Sequence, residues 1–289
     1  MNFKTLKLYT LFSTLILSSS LSAMEKATEY RLNAGMHDFI VQDIVDDVPS
    51  DGISRGDSHT YGLNVAFSVK HTTDTDISLF AKAEIFWDND KDHLDPDHVP
   101  FWFETTLDFD GPVYSFNDKN SIKWYVLLDS KTNTVSCIEK EVRQYVGVGY
   151  EYKNSAFSLA LNAYYGFYFI EIDDDTPVNR GYTRQDTDDG EVSHAFEVES
   201  QYKFNHEWLL YGKIKSYIPN VGDTRLEDNA ELILTYKNSW FIENSSLNLK
   251  AKYVKYNFDR FYRDPPGVPI LPFDNEALLQ AYISMPLDF

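Results

Sequence analysis

The sequence predicts an all-β fold: an antiparallel transmembrane β-barrel of about twelve strands. Three observations predict it. Apolar and polar residues alternate with period two in segment after segment, as strands with two different faces require. The connections between these segments alternate between short and long. After the first two dozen residues, no apolar run is long enough to cross a membrane as a helix.

Composition agrees. Tyr and Phe each occur 20 times, and aromatics suit strands and membrane interfaces. The formal charge of −19 argues against nucleic acid as a partner. A single cysteine, Cys137, allows no internal disulfide, so pairing and burial must hold the fold.

The N-terminus reads as an export leader. Lys4 and Lys7 precede a mostly apolar stretch, Leu8 to Leu17, and small residues follow up to Leu21-Ser22-Ala23. The stretch is too short for a membrane anchor. Cleavage is expected after Ala23, leaving residues 24–289 as the barrel and a net charge of −21 once the two lysines are gone.

The strands follow in order. The first expected segment, 28–40, alternates weakly. In 60–70, Tyr61, Leu63, Val65, Phe67 and Val69 share one face. In 77–87, Ile77, Leu79, Ala81, Ala83, Ile85 and Trp87 oppose Ser78, Phe80, Lys82, Glu84 and Phe86. Segments 98–109 and 120–130 are weaker, and 113–116 can extend a strand within the link 110–120. In 142–152, Val146, Val148, Tyr150 and Tyr152 oppose Arg143, Tyr145 and Glu151. The run 156–169 alternates throughout. Phe196, Val198 and Tyr202 then oppose Glu197, Glu199 and Lys203. Trp208, Leu210 and Ile214 oppose Tyr211, Lys213, Lys215 and Tyr217. Leu232, Leu234 and Tyr236 oppose Glu231. Leu247, Leu249, Ala251 and Tyr253 oppose Lys250 and Lys252. The twelfth segment is 276–289.

Short links are expected at 72–76, 153–155, 205–206 and 238–245. Long loops are expected at 45–58, 88–97, 131–141, 172–191, 219–227 and 259–275. Short turns belong on the periplasmic side and long loops outside. A soluble sandwich would place charges on its outward faces, whereas here one face of each strand is nearly free of them.

In the last segment, Leu279, Ala281, Ile283, Met285, Leu287 and Phe289 share a face, and Tyr282 lies on the other. This segment resembles the terminal strand of Gram-negative outer-membrane β-barrel proteins, which ends in an aromatic residue. The resemblance implies an outer-membrane location and recognition of Tyr282 and Phe289 by the barrel-assembly machinery. It also implies contact with outer-membrane lipid and lipopolysaccharide. Pro286, which lacks a backbone donor, and Leu287, in place of an aromatic three from the end, depart from the pattern.

The less apolar face points into the lumen. It carries Lys82, Glu84, Glu104, Arg143, Tyr145, Glu197, Glu199, Tyr211, Lys213, Lys215, Glu231, Lys250 and Lys252. Opposite charges on neighbouring strands should pair, because an unpaired charge in a narrow interior is costly. These residues either fill and stiffen the barrel or guide a small, charged, sugar-like or nucleoside-like solute.

Asp88, Asp90 and Asp92 alternate like the start of a calcium loop. His93 stands where such a loop needs glycine, and Val99 where it needs glutamate. A solvated acidic loop is the plainer reading. No cofactor is called for. A lipid hydrolase would need a serine beside a histidine. No Ser-x-His or His-x-Ser occurs in the expected strands, and adjacent Ser193 and His194 point to opposite faces. His37, His59 and His194 are placed near the outer rim. The three readings are a narrow diffusion channel, a lipid hydrolase and a closed structural or recognition barrel.

Overall fold

A computed structural model describes residues 27–42, 59–89, 99–134, 136, 138–172, 188–220, 226–239, 242–256 and 275–288. The leader, Phe289, Asp90, Asp92 and most of the long loops fall outside these residues.

Twelve antiparallel strands close into one barrel in sequence order. They are β1 Ala27–Gln42, β2 His59–Thr72, β3 Ser78–Asp88, β4 Phe101–Asn117, β5 Asn120–Thr134 and β6 Ile138–Lys153, followed by β7 Phe157–Ile172, β8 Asp188–Lys203, β9 Trp208–Pro219, β10 Glu227–Asn238, β11 Ser245–Tyr256 and β12 Asn275–Leu287. The ring closes through β1 and β12, where Tyr30 stands opposite Leu287 and Arg31 opposite Pro286. Pro286 therefore sits in a paired strand, one residue from the end of the ladder. Closure leaves no free sheet edge along the paired length.

Alternation in the sequence becomes inside and outside. On β2, Leu63 and Val65 are 57% and 50% exposed, while Asn64 and Ala66, which alternate with them, are each 1% exposed. Outward Phe67, Ile85, Val146, Val148, Phe196, Val198, Ile214, Leu232 and Leu249 continue the apolar band around the wall. At the short-turn end, aromatic pairs form a girdle: Tyr152 with Phe157, Tyr202 with Phe204, and Trp208 with Tyr236 at 4.7 Å between ring centres. An apolar band edged by aromatics is what lipid and its interface select. The molecule is a twelve-stranded barrel of the outer-membrane type.

The short turns are local devices. Asn154 Oδ1 accepts from the Ala156 and Phe157 amides, and Asn205 Oδ1 accepts from the Glu207 and Trp208 amides. Asp76 and Asn244 adopt left-handed φ in two other turns, where Asn and Asp are tolerated.

Two expected links are strand instead. The segment 110–120 continues β4 and β5 to a tight turn at Asp118-Lys119, with a register shift between Pro112 and Tyr114. The segment 131–141, expected as an outer loop, is mostly paired: β5 runs to Thr134 and β6 starts at Ile138. Asn133, with φ of 59°, turns its side chain to the Phe101 carbonyl at 2.6 Å and lets the ladder tighten there. The polar run Lys131-Thr132-Asn133-Thr134 lacks an apolar face. It follows that its strand state has no signature in alternation.

Candidate functional site: the barrel lumen

Strand pairing puts all the lumen candidates on the inward face, in two zones. Toward the long-loop end the interior is packed. Phe86 and Trp102 stack at 3.6 Å between ring centres, with Phe39 and His37 edge-on to Trp102. Tyr145, Tyr168, Tyr217, Ile138, Ile170 and Leu226 fill the rest.

Ion pairs run through this packing as chords across the lumen. Lys131 on β5 meets Glu276 on β12, five strands away around the ring. Glu276 also accepts from Tyr256 at 3.0 Å and Ser136 at 3.2 Å. Lys252 on β11 reaches Glu104 on β4 at 2.7 Å, again five strands away. Arg143 on β6 binds Glu227 on β10 through two nitrogens, at 2.6 Å and 3.2 Å. Arg143 also contacts Glu141 at 2.7 Å, and the Tyr168 hydroxyl lies within hydrogen-bond reach of both carboxylates, with one proton to give to either. The guanidinium lies over the Tyr217 ring, 5.2 Å from its centre. Glu141 and Glu227 are both 0% exposed. Forked guanidinium–carboxylate geometry suits such burial because it satisfies several donors at once.

Below this layer the interior is open. A cavity of about 700 Å³ reaches from Lys131, Arg143 and Tyr217 down to Arg31, Lys70 and Ser246 at the short-turn end. Lys82, Glu104, Glu197, Glu199, Tyr211, Lys213, Lys215, Glu231, Lys250, Lys252 and Tyr282 all line it. Glu84 does not line the cavity; it is buried behind Lys82, bonded to Lys82, to Asn64 at 2.9 Å and to Gln280 at 2.8 Å. Tyr145 is fully packed in the layer above and bonds Ser193.

The expected pairing of neighbours holds in part. Glu197 meets Lys215 at 3.3 Å and Glu231 meets Lys250 at 3.1 Å. Lys252 stands opposite Glu231 in the β10–β11 register, yet its ion pair is with Glu104 across the barrel. Alternation cannot reveal such chords, because they join strands far apart in sequence.

The residues that sequence reasoning missed are Lys131, Glu141, Glu227 and Glu276. The first three fall within the expected loops 131–141 and 219–227, and Glu276 at the start of the expected last strand. Extending the inward parity of Arg143 back two places reaches Glu141, which was the one available signal.

Two other expectations are corrected. Asp88 does not begin an acidic loop. It ends β3 with its side chain fully buried, 2.8 Å from His37 Nε2. His37 lies near the long-loop end but points into the barrel, beside Gly62 on β2, where an added Cβ would meet its Cε1 at 3.0 Å. His59 and His194 do face outward: His59 contacts Asp38 at 3.2 Å, and His194 packs on Tyr165. No group of three or more metal-binding side chains occurs among the described residues.

No family model and no curated protein matches the sequence. Solved structures similar to it include a KdgM porin in complex with disordered oligogalacturonate, at 9% identity and TM-score 0.46, covering 91% of this chain and 100% of that one. A NanC porin is 12% identical with TM-score 0.48, covering 90% and 100%. Outer membrane phospholipase A from Escherichia coli is 11% identical with TM-score 0.41, covering 93% of each chain.

Proposed function

We propose that the barrel is a narrow, gated outer-membrane channel for small polar or charged solutes of sugar or nucleoside size. The observation that carries this reading is the polar cavity of about 700 Å³ that enters from the short-turn end and stops at a layer of ion pairs. A barrel meant only to be solid has no need of a charged vestibule, since buried ion pairs are often no more stabilising than apolar packing. Ion pairs can be exchanged for contacts with a charged solute, so they suit a constriction. The leader 1–23 would export the chain, and the terminal strand with Tyr282 and Phe289 would present it to the assembly machinery.

Planar-bilayer recording of the refolded barrel tests the reading. A small unitary conductance is expected, rising at least twofold when one chord is removed in Glu104→Gln/Lys252→Met. No current from either protein would defeat it. That outcome would favour a closed structural or recognition barrel, the reading supported by the stacked Phe86 and Trp102 in the outer half. The lipid-hydrolase reading has weaker support. Among the described residues the hydroxyl–histidine contact is Thr28 with His71 at 2.7 Å, a threonine at the short-turn end.

A further inference from the structure

The lipid-facing wall is not uniform. From β2 across β1, β12 and β11 to β10 it holds a groove of about 650 Å³. Strand register explains the groove. Ala251 stands between Leu279 and Leu232 in one row across the strands, and Ala281 stands between Met36 and Leu249 in the next. The two alanines are diagonal neighbours, so two short side chains lie together. Met36, Leu232, Leu249 and Leu279 rise around them, between 45% and 62% exposed. A depression of this kind inside the apolar band suits an extended hydrocarbon chain, which gains by covering its walls.

The long-loop end of the groove is polar. Asp38 points outward there, opposite Leu279 and Tyr61 in its two registers, and its Oδ1 lies 3.2 Å from His59 Nδ1. Both side chains line the groove, 40% and 53% exposed. An ionisable side chain on the membrane-facing side of a strand is costly to keep and usually marks a site. A carboxylate accepts hydrogen bonds and donates none. With Nδ1–H of His59 turned to Asp38, the neutral imidazole presents a further acceptor, Nε2. The groove therefore ends in acceptors around one negative charge. The one lysine among its lining residues, Lys250, has its ammonium in the lumen on Glu231. Such an end attracts an ammonium group with hydrogens to give and disfavours a headgroup of net negative charge.

We propose that this groove binds a phospholipid with a primary ammonium headgroup, of the phosphatidylethanolamine class. One acyl chain lies over Ala251 and Ala281, and the ammonium sits on Asp38 and His59. The proposal needs only the barrel and its lipid-facing wall, so it stands or falls apart from the channel reading.

Native mass spectrometry of the refolded full barrel, mixed with equal amounts of phosphatidylethanolamine and phosphatidylglycerol of identical chains, tests it. The ethanolamine lipid is expected to be retained about fivefold over the glycerol lipid, the scale of a half-exposed charge pair. Asp38→Asn should erase that preference, and Asp38→Glu should keep it, which separates recognition of the charge from a folding defect. Ala281→Leu should lower retention by filling the groove. A second apolar groove, of about 590 Å³ on the wall from β5 to β9, supplies the control. Ala163→Leu fills that one and should leave the preference intact. Equal retention of the two lipids, a preference that survives Asp38→Asn, or retention that Ala281→Leu leaves unchanged would overturn the proposal. A stable dimer in place of lipid adducts would do so too, since the groove would then be a contact between two barrels.

Discussion

At the scale of single residues, the decisive feature is Arg143 held between Glu141 and Glu227. Its guanidinium offsets two buried carboxylates, and Tyr168 supplies a further donor. Removing one member of a buried pair leaves an uncompensated charge and costs about 3–5 kcal/mol. Arg143→Met is expected to destabilise the barrel by that amount in reversible urea unfolding from lipid vesicles. Lys123 is the contrast. It bridges Asp110 and Glu151 near the short-turn rim, where all three side chains are about a quarter exposed. Screening by solvent limits such pairs to about 1 kcal/mol or less, so Lys123→Met should barely shift the same curve. The inward position of Arg143 was legible from the parity of Val146 and Val148. Its partners were not. Glu227 comes to it by barrel closure from a strand four places away, and Glu141 sits in a run that reads as loop.

At the scale of the strand, alternation does most of the specification, because a one-residue slip would turn every side chain to the wrong side. Val65 faces lipid midway along β2. Val65→Arg should cost about 2–4 kcal/mol, the range for a basic residue near the bilayer midplane, in vesicle unfolding. Glycines divide by what lies over them. A Cβ on Gly111 would meet the Trp124 ring at 2.7 to 2.8 Å, so β4 can pass under that indole only without a side chain. On Gly212 the nearest atom would be 3.7 Å away. Gly111→Ala is therefore expected to cost about 1–3 kcal/mol, as overpacking does, and Gly212→Ala close to nothing. Strand centres were legible because lipid demands an apolar outer face there. Strand ends were not. Where β5 and β6 run past the apolar band their outer faces turn mostly polar, and strand pairing together with the inward ion pairs of Lys131 and Glu141 holds these ends in the sheet.

At the scale of the whole molecule, the two halves of the lumen differ in kind. The half toward the long loops is packed with aromatics and crossed by ion pairs, and the half toward the short turns holds an open cavity with charged walls. Rigidity and access are thus separated along one axis, and the chords mark the boundary. The pair Lys131–Glu276 tests whether that boundary is a gate. Lys131→Ala alone strands Glu276 in a site where Tyr256 and Ser136 can only partly compensate. Glu276→Ala alone strands the ammonium. Each single change should cost about 3–5 kcal/mol, while the double change leaves no buried charge and should cost clearly less than the sum. It also clears one span of the constriction. In a gated channel the double variant should therefore combine near-normal unfolding with a conductance at least twofold higher. In a solid barrel it should recover stability in the same way and still pass no current, because the stacked rings above would keep the lumen shut.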